Sequence, residues 1–251
     1  MDRPIHKRPL HQFLARNPMP HPWTTGAFYR EKMRAIHRIA PDRPFPTLLE
    51  LGGGQSGLTA LLYPGARVVN LEMDLRYALS PCNLRRRVAF VNGNAEQIPL
   101  RDQSQDAVTF LDVLEHVPED ERAISEALRV LRPGGYFLIS APNERWRFPF
   151  YPAIRRICPS ETDIMKTWGH VRKGYSLTRL QSIIQRPCLA YKSYINPLTV
   201  MAHDVGFSHL PAAWRQLFGV LLTPMTILGY ALPFMFGWGV ETVSLWKNIK
   251  P

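Results

Sequence analysis

Short apolar runs alternate with helical segments between residues 47 and 141, and this order constrains the fold more than any other feature of the chain. Five runs have the length and composition of buried strands, namely 47–51, 66–73, a part of 87–95, 106–113 and 136–141. Amphipathic helices are predicted at 30–40, from the glycines at 52–54 to about residue 62, after Pro118, and at 176–185. Strands that alternate with helices predict an α/β fold with a doubly wound, mostly parallel sheet.

The length and composition predict one such domain with additional segments at its ends. A chain of 251 residues with 45% hydrophobic residues can bury one sizeable core but not two. Residues 1–46 are predicted to form a basic arm and helix, and residues 47–251 the main domain, with a cap at about 144–175 and an apolar helical insert at about 207–238. Cys82, Cys158 and Cys188 form no C-x-x-C pair, which indicates neither a disulfide framework nor a zinc site and favours a reducing compartment.

The net charge of +11 is unevenly distributed along the chain. Residues 1–47 carry nine basic and three acidic residues, residues 48–144 nine and thirteen, and residues 145–251 thirteen and four. The middle segment is therefore acidic and both flanks are basic. This pattern predicts that the two flanks contact an anionic surface or substrate, whereas the middle segment has a different function.

The sequence ELGGGQSG after the first apolar run indicates a cofactor-binding loop. Gly52, Gly54 and Gly57 match G-x-G-x-x-G, a pattern often associated with dinucleotides. Glu50, however, would repel a pyrophosphate and suits a ligand with an ammonium or sulfonium group. Glu72, at the end of the second run, is placed to accept hydrogen bonds from both ribose hydroxyls.

Five motifs follow one another in the order and spacing of a known family. They are ELGGGQS, NLEMD, VNGNAEQIPL, SQDAVTFLDVLEHVPE and EALRVLRPGGYFLISAPN, and they span about 47–144. Here the chain resembles the class I S-adenosylmethionine-dependent methyltransferases, of the "methyltransferase 11" type that acts on small molecules. The resemblance implies a Rossmann-like sheet of seven strands and S-adenosylmethionine as the cofactor. It also implies that 189–195 and 241–249 form a closing β-hairpin.

The resemblance implies a role for individual residues. The glycines would line the methionine part of the cofactor, with Glu50 near its ammonium group, Glu72 on the ribose and Met73 on one face of the adenine. Asn94 stands where the family commonly has Asp, which predicts a weaker contact with the adenine edge. Ser56 replaces the third glycine and is interpreted as a helix N-cap, whereas Gly57 is interpreted as a coincidence inside the following helix. The complete predicted cofactor set is Glu50, Gly52, Gly53, Gly54, Ser56, Glu72, Met73, Asn94, Ala95 and Asp112.

Methyl transfer from a sulfonium requires alignment and exclusion of water more than it requires acid–base groups. A base is needed only where the acceptor starts protonated, and His116 in LEHV is the first candidate. A packing or cofactor-wall role is the alternative for this histidine. Asn143, Trp146, His170 and Tyr175 are predicted on the substrate side, and no metal-ligand cluster is predicted.

The C-terminal insert contains 25 uncharged residues between Arg215 and Glu241. This length would span a bilayer, but a single crossing would place the two hairpin strands on opposite sides of the membrane. The segment must therefore return to the side that it left, as a lid, a pocket wall or a shallow membrane-seated hairpin. A core helix pair is the alternative. An apolar face is predicted from Leu210, Trp214, Leu217, Phe218, Leu221, Leu222 and Met225.

These features predict a methyltransferase acting on oxygen or carbon of a small, hydrophobic or lipid-linked acceptor. The basic flanks predict a cytoplasmic protein seated peripherally on an anionic membrane, at its inner face. No N-P-P-Y tetrad follows the fourth strand, which disfavours nucleic acid as the acceptor. The alternatives are a nicotinamide-dependent oxidoreductase and a non-catalytic, membrane-associated binding protein with a degenerate cofactor site.

Overall fold

A computed structural model describes residues 6–19, 25–232 and 239–249 of the chain. The part of the predicted insert at 233–238 lies outside these residues. Seven strands form one sheet in the order β3-β2-β1-β4-β5-β7-β6. The strands are β1 Thr47–Leu51, β2 Arg67–Glu72, β3 Val88–Asn92, β4 Gln105–Leu111, β5 Leu131–Pro142, β6 Cys188–Tyr194 and β7 Glu241–Lys247. Strands β1 to β5 pair in parallel, and β7 lies antiparallel between β5 and β6, as the sequence predicts.

The predicted strands and helices are found, with differences at some ends. The α-helices are α1 Leu10–Leu14, α2 Thr25–Ile39, α3 Leu58–Leu62, α4 Asp120–Val130, α5 Glu161–Trp168, α6 Leu177–Ile184, α7 Pro197–Gly206, α8 Ala212–Leu221 and α9 Thr223–Ala231. The prediction that a strand starts at residue 136 is wrong: β5 starts at Leu131, which pairs with Gln105 before the register shifts. Gly134, with φ +75°, lies within this irregular stretch.

Two hydrophobic cores cover the two faces of the sheet. Successive strand residues alternate between them: Leu48 and Leu138 belong to one core, whereas Leu49 and Phe137 belong to the other. The first core also contains Met33 and other buried residues of α1, α2 and α3, and the second contains those of α4 and α6. The described part of the N-terminal arm is therefore packed into the same body as the sheet.

The helices α7, α8 and α9 form a layer beside α2. Gly229 of α9 comes so close to α7 that a Cβ atom there would lie 2.8 Å from side-chain atoms of Leu198 and Thr199. The Asn196 side chain donates a hydrogen bond to the Gly229 carbonyl at 2.8 Å. Arg34 of α2 donates to the Tyr230 carbonyl at 2.6 Å and lies 4.0 Å from the centre of its ring. These contacts fix α9 against both α7 and α2.

Candidate functional site

The predicted cofactor loop runs from the end of β1 to α3 and has an unusual backbone. Gly52, Gly54 and Gly57 have φ values of +63°, +51° and +52°, which other residues rarely adopt. A Cβ at Gly52 would lie 2.6 Å from Val113, and one at Gly57 would lie 2.6 Å from the Cys82 side chain. The interpretation of Gly57 as a coincidence inside the helix is therefore wrong, because it is the left-handed residue that begins α3.

Ser56 also differs from its predicted role. Gly57, not Ser56, occupies the N-cap position of α3, and α3 has no side-chain cap. The Ser56 hydroxyl instead donates to the Gly53 carbonyl at 3.1 Å and so closes the loop on itself. Sequence spacing could not tell the N-cap residue from the residue that closes the loop, because the two are adjacent in the chain.

Glu50 lies beneath the loop, with 1% of its surface exposed. Its carboxylate accepts a hydrogen bond from the Thr59 backbone N–H at 3.2 Å and so serves an N–H in the first turn of α3. Burial raises its pKa to about 7, and the hydrogen bonds with Thr59 only partly oppose this effect. Glu50 thus supports the loop from below, and its predicted contact with a ligand ammonium group stays a prediction.

Glu72 connects the end of β2 to the loop. One carboxylate oxygen accepts from the Gly54 N–H and the other from the Asp74 N–H, both at 3.1 Å. Met73 and Leu75, which follow, expose 69% and 64% of their surface. The carboxylate predicted to hold a ribose therefore lies beside the glycine loop, next to two unusually exposed apolar side chains.

Asn94 and Ala95 follow β3 at the same edge of the sheet. The Asn94 side chain accepts a hydrogen bond from the Glu96 backbone N–H at 2.9 Å, which shapes the loop. Ala95 packs against the second core. A direct contact of either residue with a cofactor stays a prediction.

A buried ion pair lies at the end of β4. Lys32 of α2 and Asp112 lie 2.5 Å apart between Nζ and Oδ2, and the Ser140 hydroxyl donates to the other carboxylate oxygen at 2.5 Å. Asp112 has φ +57°. Although burial by itself lowers the pKa of Lys32, the Asp112 carboxylate outweighs it, so the pKa of this lysine is raised. The predicted contact of Asp112 with the cofactor stays a prediction.

Two further carboxyl groups are buried near this pair. Glu115 lies in the short 3₁₀ helix Leu114–His116, and Glu241 starts β7 opposite Pro142. Each has one oxygen, Oε2, without a hydrogen-bond partner in the described structure. Burial, reinforced by the Asp112 charge, raises the pKa of Glu115 to about 8 and that of Glu241 well above its usual value. Asp112, Glu115 and Glu241 form what we call the acidic cluster.

His116 and His170 face each other beside the acidic cluster. Their ring centres are 4.8 Å apart at an interplanar angle of 85°. His116 Nδ1 is 3.1 Å from the Gly169 carbonyl, whereas His170 Nδ1 is buried without a partner. Burial, followed by the neighbouring His116, lowers the pKa of His170 to about 4. Trp146, also predicted on the substrate side, is buried with its ring 6.3 Å from that of His170.

Tyr175 and Asn143 have structural partners. The buried Tyr175 hydroxyl donates to Asp120 at 2.9 Å and receives a hydrogen bond from Arg172 at 3.0 Å. Asn143 forms an isolated bridge with Tyr175, and its side chain accepts from the Arg145 N–H at 2.9 Å. Their predicted substrate contacts stay predictions. His116, His170 and Trp146, by contrast, lie together.

Sequence reasoning missed Lys32 and Glu241 as site residues. Lys32 lies 80 positions before its partner Asp112, and Glu241 reaches the site only because β7 pairs with β5. One signal was present: each is a charged residue within a segment whose neighbours are predicted to be buried. The candidate site therefore has two parts. We call the part at the ends of β1, β2 and β3, which carries most of the predicted cofactor residues, the cofactor side, and the part at the ends of β4, β5 and β7 the acceptor side.

A family model described as a methyltransferase domain matches residues 49–139. A ubiquinone/menaquinone biosynthesis C-methyltransferase from Methylobacterium nodulans is 37% identical over 125 residues, which cover 45% of this chain and 50% of the relative. A phthiotriol/phenolphthiotriol dimycocerosates methyltransferase from Mycobacterium tuberculosis is 40% identical over 90 residues, covering 34% and 32%. The chain thus spans half or less of the length of these curated relatives.

The fold recurs in solved methyltransferase structures. A phosphoethanolamine N-methyltransferase from Haemonchus contortus, solved with S-adenosyl-L-methionine, superposes with a TM-score of 0.55 at 14% identity and covers 88% of this chain and 52% of that one. The predicted fold class and the resemblance to class I S-adenosylmethionine-dependent methyltransferases are confirmed. Residues 49–139 thus match a methyltransferase domain, and the chain as a whole has the fold of class I methyltransferases.

Proposed function

We propose that the chain transfers the methyl group of S-adenosylmethionine to oxygen or carbon of a small, hydrophobic or lipid-linked acceptor. The observation that carries this proposal is an exposed apolar surface on α8 and α9, next to the acceptor side of a methyltransferase domain. Nothing in the comparisons favours a nicotinamide-dependent oxidoreductase.

The residues on the cofactor side fit S-adenosylmethionine. A Cβ at Gly54 would meet no atom within 4 Å, so the loop backbone borders open space there. Glu72 offers carboxylate oxygens to ribose hydroxyls, and the exposed Met73 offers an apolar face to adenine. When bound, the cofactor supplies a methyl group already activated by a sulfonium. The loop and Glu72 then hold the cofactor and orient it toward the ends of β4 and β5.

The apolar surface is the most unusual feature of the exterior. The side chains at i, i+3, i+4 and i+7 of α8 point to solvent, and α9 extends the same surface. We define the apolar surface by its exposed members, which are Trp214, Leu217, Phe218, Val220, Leu221, Ile227 and Leu228. Four members of the predicted face, Trp214, Leu217, Phe218 and Leu221, are thus turned outward. Leu210, Leu222 and Met225 are half-buried, and Leu222 packs against the first core. Soluble proteins seldom expose so many contiguous large apolar side chains without a binding role.

A groove lies between α2 and the helices α8 and α9. It has a volume of about 260 Å³ and is lined by Ala27, Gly219, Ile227 and Tyr230, with Glu31 and Arg30 among the polar members. Glu31 is buried and precedes Lys32, whose ammonium group reaches Asp112 of the acidic cluster. Helix α2 thus borders both the groove and the acceptor side, and we propose that the groove holds the tail of an acceptor whose reactive end lies on that side.

The apolar surface and its basic surroundings suit an anionic membrane. Arg30 and Arg34 of α2 lie beside the groove, and Arg215 lies on α8 itself. Among the described residues, no helix has both the length and the hydrophobicity needed to cross a bilayer. A shallow seat in the headgroup region, with basic residues on anionic lipids, is the arrangement that this geometry supports. We place the protein on the inner, cytoplasmic face of such a membrane.

His116 and the acidic cluster surround the position of the reacting acceptor atom in this proposal. A phenol or hydroxyl acceptor must lose its proton, and the imidazole of His116 is the candidate group to receive it. The carbonyl of Gly169 fixes one ring nitrogen, which leaves the other free to accept. The buried ring of Trp146 and the half-buried ring of Trp168 help to exclude water from this side of the site.

The reaction is tested by incubating the purified chain with S-adenosylmethionine and a lipid extract of its native cells. Mass spectrometry should show a product heavier by one methylene group and a stoichiometric amount of S-adenosylhomocysteine. Glu72→Gln should weaken S-adenosylhomocysteine binding at least about tenfold in calorimetry, because a charge-assisted ribose hydrogen bond is worth about 1.5–3 kcal/mol. Glu96→Gln, in a neighbouring loop, is the control. Binding of NADH in place of S-adenosylhomocysteine would contradict the proposal.

The membrane seat is tested on liposomes that contain anionic lipid. The double variant Leu221→Glu/Ile227→Glu should lower partition onto these liposomes at least about tenfold, since each buried side chain of this size contributes about 1.5–3 kcal/mol. Leu189→Glu is the matched control, because Leu189 is equally exposed but lies on the edge strand β6. Equal partition of all three proteins would refute the seat on α8 and α9.

A further inference from the structure

Glu115, His116 and His170 bring three metal-ligating groups together on the acceptor side of the site. One carboxylate oxygen and one nitrogen from each ring all lie within 4.8 Å of one another. Ligand atoms of a tetrahedral ion with bonds of about 2.1 Å lie about 3.4 Å apart. Side-chain rotations that bring these atoms closer together by about 1 Å would therefore let them share one ion.

The backbone holds the two segments in place. The Val171 N–H donates to the Glu115 carbonyl at 3.0 Å, which joins the segment around His170 to the 3₁₀ helix. Arg172 donates to the carbonyls of Leu114 and Val117 at 2.9 and 2.6 Å. The ligands thus come from two chain segments that are fixed to each other without an ion, as in a preorganised site.

Two of the three groups are buried without the partner that their chemistry requires. Glu115 is 1% exposed, and its Oε2 has no hydrogen-bond partner, nor has the buried Nδ1 of His170. Such orphaned polar atoms are costly unless something else satisfies them. The Nδ1 of His116, in turn, lies at hydrogen-bond distance from the Gly169 carbonyl. Histidines that ligate metals commonly make this second contact, which directs the other nitrogen at the ion.

We infer that Glu115, His116 and His170 bind a divalent transition-metal cation of the zinc, cobalt or manganese class. Two imidazoles and one carboxylate suit these ions better than magnesium or calcium, which prefer oxygen ligands alone. Asp112 is not counted among the ligands, because its two oxygens are occupied by Lys32 and Ser140. Three protein ligands leave at least one coordination position for water or for an acceptor oxygen.

The cation would select oxygen acceptors, and this part of the inference rests on the proposed function. Val113, the residue before the 3₁₀ helix, packs directly against Gly52 of the cofactor loop. With its second ring nitrogen on the cation, His116 would be a ligand and not the base, and a hydroxyl bound to the cation would be acidified and would release its proton to water. Its lone pair then forms the new C–O bond while the S–CH₃ bond breaks, and the electron pair of that bond remains on sulfur as a neutral thioether. The reaction consumes one acceptor hydroxyl and one sulfonium cofactor, and it yields one ether, one thioether and one proton.

The site is tested by titrating Co²⁺ into the untagged full chain after treatment with a chelator. We expect saturable binding of one ion per chain, with visible absorption bands of bound cobalt that Zn²⁺ abolishes by competition. Glu115→Gln and His170→Phe should each weaken binding more than about tenfold. The phenylalanine keeps an aromatic ring against Trp168, and a thermal melt identifies any variant that fails to fold.

His11→Ala and Glu121→Gln are the matched controls, because both residues are exposed and lie outside the cluster. They should bind Co²⁺ as the wild type does. Absence of saturable binding in the wild type, or unchanged binding in folded His170→Phe, overturns the inference. S-adenosylhomocysteine binding, measured on the same samples without cobalt, reports on the proposed function alone: its absence refutes that function, whereas loss of Co²⁺ binding alone refutes only the cation site.

Discussion

Replacement of Lys32 by Met tests how the acceptor side of the site is held together. Lys32 is 7% exposed in its side chain and lies 2.5 Å from Asp112, with Glu115 and Glu241 nearby. Met fills a similar volume, so the change removes mainly the charge. Loss of one partner of a buried ion pair costs about 3–5 kcal/mol, because the other charge stays buried and uncompensated. Because the Asp112 side chain is 34% exposed, we expect the lower end, about 3 kcal/mol.

Urea unfolding measures this free energy directly. With a slope of about 1–3 kcal/mol per molar urea, the expected loss moves the midpoint of Lys32→Met down by at least about 1 M. Addition of Asp112→Asn should restore at least half of the loss, because the orphaned carboxylate is then neutral. Lys166→Met is the control, since Lys166 is exposed in the last turn of α5.

Two results would refute this reasoning. A change in Lys32→Met no larger than that of Lys166→Met would mean that the ion pair contributes nothing to stability. Failure of Asp112→Asn to recover stability in the Lys32→Met background would mean that the loss comes from packing of the lysine stem. The double variant thus separates the electrostatic contribution from the steric one.

Two further changes test the cofactor side. Burial of the Glu50 carboxylate carries no penalty below its unfolded pKa near 4.5, and the penalty is complete above its folded pKa of about 7. Relative to wild type, Glu50→Gln should therefore gain up to about 3 kcal/mol of unfolding free energy as the pH rises from 5 to 8. Urea unfolding measures this gain, and parallel pH curves for the two proteins would contradict the prediction. Gly57→Ala should lower the free energy of unfolding by about 2–3 kcal/mol, because Gly57 has a positive φ and an added Cβ would lie 2.6 Å from Cys82. Gly134→Ala should lower it by only about 1 kcal/mol in the same assay, because Gly134 also has a positive φ but an added Cβ would meet open space.

The alternation of strands and helices and the position of the glycine loop could be predicted from the sequence because their signals are local. Glu72 follows an apolar run and lies 18 positions beyond Gly54, and the two residues are hydrogen-bonded in the structure. Local signals do not give single-residue geometry. Ser56 and Gly57 are adjacent, and only the left-handed backbone at Gly57, set by the approach of Cys82, decides which of them begins α3.

The orientation of the apolar insert could not be predicted for a different reason. A helical stripe such as Trp214, Leu217, Phe218 and Leu221 has the same periodicity whether it faces a core, a membrane or solvent. The structure decides, because α8 packs through its small buried residue Gly219, and α9 through Gly229, while the large side chains remain outside. In these helices the glycines, and not the large apolar residues, mark the packed face.

The acceptor side is built from chain segments both inside and outside the family match, so similarity to relatives gives limited information about the substrate. Residues 49–139 supply the glycine loop, Glu72, Asp112 and the 3₁₀ helix. Lys32 comes from the N-terminal flank, and His170 and Glu241 come from the C-terminal flank, all outside the segment that matches the family model. The domain match therefore includes the cofactor side, whereas half of the acceptor side comes from segments outside the match. We therefore expect exchange of these flanks, with the apolar surface that they carry, to change selectivity for the acceptor more than changes within residues 49–139.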